Sequence, residues 1–162
     1  MVSKKLEAAL NAQLNAELYS AYLYLSMAAQ FEAVNLKGFA HWMRAQAKEE
    51  QTHAMKFYDH IADRQGRVTL TAIAAPPTEW ASPLAAFEYT LTHEQKVTGM
   101  IHDLVALATE EKDSAADVFL QWFVSEQVEE EASADEVLQT IKKTGDDVSG
   151  LTMLDRALAQ RE

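Results

Sequence analysis

The chain has 162 residues, of which only three are proline and five glycine, so its elements run long without interruption. Apolar residues make up 48%, enough to bury a real core and too many for a disordered chain. Lys plus Arg number 14 against 25 Asp plus Glu, a net charge of −11 that disfavours nucleic acid and anionic lipid as partners and favours cations. The absence of cysteine excludes disulfides, thiolate zinc sites and iron–sulfur clusters. The longest stretch free of charge and amide, Leu18 to Ala29, is too short to cross a bilayer, and the first residues hold no apolar signal core. These features predict a cytoplasmic protein with no membrane partner.

Helical periodicity predicts a first helix over about 3–34, with Ser3 as its N-cap, and a second over about 39–65 that stops at Gly66. Pro76, Pro77 and Pro83 crowd into one eight-residue window, which marks 66–81 as a crossover loop. A third helix is expected over about 82–111 and a fourth over about 114–143. Gly145 and two aspartates then separate a short fifth helix, about 148–160, with Leu151, Leu154 and Leu158 along one side. The tight first and third connections force two antiparallel hairpins. A helix of about 27 residues is roughly 40 Å long, and sixteen extended residues reach about 53 Å. The crossover can therefore travel the length of the bundle and start the third helix parallel to the second. The predicted architecture is all-α: one domain over 1–162, a four-helix bundle with one long crossover plus a short C-terminal helix.

Each apolar stripe is broken near its middle by polar groups. Leu6, Leu10 and Leu14 lead to Glu17, then Ala21 and Tyr24. Phe39 and Met43 lead to Gln46, Glu50 and His53, then Phe57 and Ile61. Phe87 and Leu91 lead to Glu94, then Ile101 and Val105; Phe119 and Phe123 lead to Gln127 and Glu130, then Ala134 and Val137. Glu17, Glu50 and His53 reappear 77 positions later as Glu94, Gln127 and Glu130, so the two hairpins form an internal repeat. Reflection of each helix through its turn places all six groups near mid-bundle. His41, His60, His93 and His102 fall off the stripes and receive no role.

Four buried carboxylates with one imidazole are untenable unpaired, since each buried charge costs several kcal/mol. Protonation or two divalent cations would neutralise them. Oxygen-rich donors with little nitrogen suit iron or manganese better than a closed tetrahedral zinc site.

On these residues the chain resembles the prokaryotic non-haem ferritins over essentially its whole length. Glu50-Gln-Thr-His53 fits the Glu-x-x-His motif of ferritin-like di-iron proteins, and Gln127-Val-Glu-Glu130 is the ferritin-type variant of its partner. Bacterioferritins keep the second histidine and carry a haem-ligating Met after the second-helix Glu; here that residue is Gln51, so no haem is expected. The resemblance implies a ferroxidase centre in which Glu17, Glu50 and His53 hold one iron and Glu94 and Glu130 the other, with Glu50 bridging. It also implies Gln127 and Tyr24 as groups beside the pair and a third iron position at Glu49, Glu126, Glu129 and Glu130. Trp122 resembles a tryptophan next to the site. The implied reaction oxidises Fe(II) with O2 or H2O2 and deposits hydrated ferric oxide inside a homo-oligomeric shell of 24 chains. Two other readings stay open: a non-storage di-iron or di-manganese oxidoreductase, and a non-catalytic helical interaction protein with protonated acids.

Overall fold

The computed structural model describes residues 1–162 and contains five helices and no strand: α1 (Lys4–Ala33), α2 (Lys37–Asp63), α3 (Pro83–Glu110), α4 (Ser114–Thr144) and α5 (Val148–Leu158). Helix starts follow local chemistry. Ser3 Oγ accepts from Leu6 N at 3.2 Å, Ser82 Oγ from Ala85 N at 3.0 Å, and Asp113 Oδ1 from Ala116 N at 3.0 Å. Pro83 belongs to the first turn of α3 rather than to the crossover, where its missing N–H costs nothing.

Three helices end alike. Asn35, Gln65 and Lys112 adopt left-handed φ of 61°, 60° and 55°. The amide after each bonds back across six residues: Leu36 to Phe31 O, Gly66 to Ile61 O and Asp113 to Ala108 O, all at 2.9 Å. Asn35 and Lys112 are 77 positions apart, so the internal repeat extends to its turns. α2 begins and ends two residues earlier than expected. Its left-handed residue is Gln65, while Gly66 is small for a different reason: a Cβ there would lie 3.0 Å from Glu7 Oε2 and from Ile61. α5 stops at Leu158, two residues short of expectation.

The crossover runs along α1 in chain order. Asn11 bonds to Arg67 O and Thr69 N, Asn15 to Thr71 O and Ala72 O, Ser26 to Pro77 O, and Gln30 to Trp80 N and O. α3 therefore starts beside the end of α1 and runs parallel to α2, as the loop length required. Arg64, at the far end of α2, forms a two-pronged pair with Asp113 at 2.9 and 3.0 Å and ties the two hairpins together.

Buried positions step by three and four in alternation, as in α3 at Phe87, Thr90, Glu94, Val97, Ile101, Leu104 and Ala108. This is the pattern of helices packed nearly parallel. It corrects part of the expected stripes: Leu91, Val105 and Phe119 are half-buried, and Thr90, Leu104 and Leu120 take the inner positions. The apolar interior is divided in two. One cluster gathers around Phe31, Phe39, Trp42, Phe87 and Ile141, the other around Leu6, Phe57, Ile101 and Phe123. On every long helix the buried acid separates residues of one cluster from residues of the other. α5 lays Leu151, Leu154 and Leu158 on the first cluster. Its Asp155 Oδ1 accepts from Phe39 N at 3.0 Å, capping α2, whose own N-cap Leu36 offers no side-chain bond. Gly38 permits this approach, since a Cβ there would sit 1.6 Å from Asp155 O.

Candidate metal centre

The polar layer between the clusters is nearly closed to solvent. Glu17 and Glu94 are 1% exposed, Glu50 2%, His53 and Gln127 3%, and Glu130 5%. All six predicted groups come together. Five of them, joined by Glu126, form three overlapping triads, each with atoms within 4.8 Å of one another: Glu17–Glu50–His53, Glu50–Glu94–Glu130 and His53–Glu126–Glu130. Glu50 is shared by the first two, and His53 and Glu130 each by two. His53 Nδ1 lies 3.1 Å from Glu50 Oε2, and its Nε2 faces Glu126 Oε1 at 3.7 Å.

Amides and a phenol hold the acids in place. Gln13 Nε2 donates to Glu17 at 2.9 Å, and Gln46 Nε2 donates to Glu50 at 3.2 Å and to Glu130. Tyr24 donates its hydroxyl to Glu94 Oε1, and Gln127 Nε2 reaches Glu94 Oε2 at 3.2 Å. Glu17 Oε2 is buried with no partner at all. Such an atom costs about 1–3 kcal/mol unless a donor or a cation meets it.

Burial dominates the electrostatics. It pushes Glu17 up to about 7, with the Glu94 charge adding to it, and Glu130 up to about 8, again with help from Glu94. Glu50 is raised well above the ordinary range by burial and then by Glu94, Glu17 and Glu130. Burial, with Lys56 nearby, lowers His53 to about 4, so its imidazole is neutral and free to donate a lone pair. Burial raises the Tyr24 phenol too, which keeps its proton and stays a donor to Glu94. The centre is a set of oxygen donors that hold protons and one neutral nitrogen, a donor set that could hold a cation.

The outer residues separate. Glu126 is half-buried and joins a triad, raised by burial and then by Glu129 and Glu49. Glu129 is exposed, and Glu49 pairs with Arg161 at 3.0 Å; neither belongs to a triad. Trp122 is 41% exposed and meets His53 edge-on at 5.4 Å between ring centres, with Lys56 over its face at 4.2 Å.

Gln13, His93 and Arg161 were not visible as participants in the sequence, and Gln46, which breaks the second stripe, was given no role there. Gln13 and Gln46 each stand four residues before a glutamate and are 33 apart, the same interval as Glu17 and Glu50. That interval was a usable signal. His93, assigned nothing, bonds to the buried Ser20 Oγ at 2.8 Å and packs edge-on against Tyr24. Arg161, far along the chain, reaches Gln46 Oε1 at 2.8 Å.

A bundle with one long crossover and a carboxylate-rich cluster at mid-height is the class of helical metal-carboxylate proteins. Comparison with known proteins narrows this. The ferritin-like domain family matches residues 7–144. Bacterial non-heme ferritins of Bacteroides fragilis and of Staphylococcus saprophyticus are each 44% identical over 161 residues, covering 99% of this chain and 100% and 96% of theirs. The open-pore ferritin of the hyperthermophilic archaeon Archaeoglobus fulgidus superposes with a TM-score of 0.99 at 53% identity, over 100% of both chains. The chain belongs to the ferritin family.

Proposed function

We propose that this protein stores iron: it takes up Fe(II), oxidises it at a paired site inside the bundle and lays down hydrated ferric oxide within a hollow homo-oligomeric shell of 24 chains. We place it in the cytoplasm. The observation that carries the reading is the sharing of Glu50 by two adjacent donor triads at mid-bundle. In this reading Glu17, Glu50 and His53 Nδ1 hold one Fe(II), and Glu94 and Glu130 hold the second with Glu50 between them. Each pair of ions gives up two electrons to O2 or H2O2, which takes up two protons. The acids bind the ions as carboxylates, so Glu17 and Glu130 release protons on loading near neutral pH. Gln13 and Gln46 hold Glu17, Glu50 and Glu130 in fixed rotamers, and Tyr24 and Gln127 do the same for Glu94. We assign a third iron position, beside the pair, to Glu49, Glu126, Glu129 and Glu130; Glu126 and Glu130 already stand within one triad with His53.

The test has two parts. Anaerobic Fe(II) titration of the purified protein should saturate at no fewer than two ions per chain, and Glu50→Ala with His53→Ala should remove that binding and slow oxidation at least a hundredfold. Wild-type oxidation rates in the double variant would overturn the ferroxidase reading. Size exclusion should give a species of about 430 kDa for 24 chains of 18.1 kDa. A dimer would favour a non-storage oxidoreductase instead.

A further inference from the structure

Glu49 is the one partly buried acid beside the cluster that has a cationic side chain as its partner. The Arg161 guanidinium, 19% exposed, donates to Glu49 Oε2 at 3.0 Å, to Gln46 Oε1 at 2.8 Å and to Trp42 O at 3.1 Å, and it lies over the Trp42 ring at 4.2 Å. Three hydrogen bonds and a stacked face make this a built contact, in which a residue beyond the end of α5 reaches onto α2. Arginine keeps its charge at any ordinary pH and cannot leave by deprotonation. Glu49 precedes His53 by four residues, so the two side chains share one face of α2 with Cβ atoms roughly 6 Å apart. The Glu49 carboxylate lies near enough to Glu126 and Glu130 for its charge to act on both. With the pair to Arg161 made, Glu49 is missing from every triad.

We propose that Arg161 is an intramolecular counter-cation that competes with a divalent metal ion for Glu49, so that filling the third position and docking of the C-terminal segment exclude one another. The proposal rests on the third position assigned above and adds its regulation. By linkage, whatever factor Arg161 takes from metal affinity, the metal takes from docking of the segment. Release of Arg161 also frees Gln46 Oε1, whose amide nitrogen spans Glu50 and Glu130.

The experiment is calorimetric titration of the assembled protein with Zn(II), as a redox-inert probe, in wild type, Arg161→Gln, Arg161→Lys, Glu49→Gln and the Arg161→Gln/Glu49→Gln double variant. Loss of a partly exposed ion pair predicts that Arg161→Gln tightens the weakest of three sites per chain on the order of fivefold, leaving the two tight sites within about twofold. Arg161→Lys, which retains the charge but neither the fork nor the stacked face, should tighten that weakest site less than Arg161→Gln does. Within the Glu49→Gln background, Arg161→Gln should have no effect. Saturating Zn(II) should also speed amide exchange at residues 159–162 of the wild type. Three sites indifferent to Arg161→Gln, or an equal effect in the Glu49→Gln background, would overturn the competition alone. Saturation at two ions in both wild type and Arg161→Gln would overturn the third position itself and the proposal with it.

Discussion

Glu50 accepts an amide from Gln46, faces His53 Nδ1 and stands among three other acids, all within a layer that excludes water. Its environment makes the metal-free protein unusually sensitive to base. A carboxyl whose folded pKa exceeds the ordinary glutamate value of 4.5 holds its proton more tightly when folded. The stability that Glu130 and Glu17 contribute this way is complete below about pH 4.5 and is lost as pH rises through about 8 and about 7. The melting temperature of the metal-free protein should therefore fall between pH 5 and pH 8. Divalent metal, which takes the place of those protons, should flatten or reverse the trend, and scanning calorimetry with and without Zn(II) checks it. The four acids were legible in the sequence because a carboxylate in the middle of an apolar stripe has no bland explanation when it recurs at one height. Gln13 and Gln46 were harder to see, since an amide on a helix is unremarkable until its partner is known. Arg161 was out of reach: its contacts lie more than 110 residues back along the chain and depend on how the C-terminal segment turns over α2.

Among the elements, α5 has the least material holding it and the most exacting contact. Asp155 supplies the N-terminal cap of α2 from outside that helix, and the approach leaves no room for a methyl group on Gly38. Gly38→Ala gains helix propensity of about 1 kcal/mol, yet it must push α5 away. Displacement of α5 and loss of the cap together should lower stability by about 1–3 kcal/mol net. Thermal unfolding would register that loss, and protection of α5 amides should fall while the long helices keep theirs. Gly99, by contrast, faces open space within α3, and nothing in the structure demands a glycine there. Helix starts were readable to within one residue where a nearby side chain caps them, as at Ser3, Ser82 and Asp113. The start of α2 was two residues off, because its cap comes from a residue more than a hundred positions later.

At the scale of the molecule, the 77-residue interval governs more than the donor set. It relates Glu17 to Glu94, Glu50 to Gln127, His53 to Glu130 and the left-handed turn residue Asn35 to Lys112. The bundle is thus two similar hairpins facing each other across the acids, joined by the crossover and by the Arg64–Asp113 pair. Topology was legible because loop lengths leave little choice. Oligomeric order was not, since it depends on surfaces that meet only other copies. A shell of 24 such chains would carry −264 before screening, a field that draws cations toward every entrance.

The division of the oily interior into two pockets by a belt of acids gives the empty protein a weak waist. Helices ordinarily open from their tips inward. Here, in the absence of metal, the least protected amides within each long helix should be those around Glu17, Glu50, Glu94 and Glu130. Loading with divalent ions should close that waist and return the pattern to fraying at the ends, a reversal that residue-resolved hydrogen exchange can read directly.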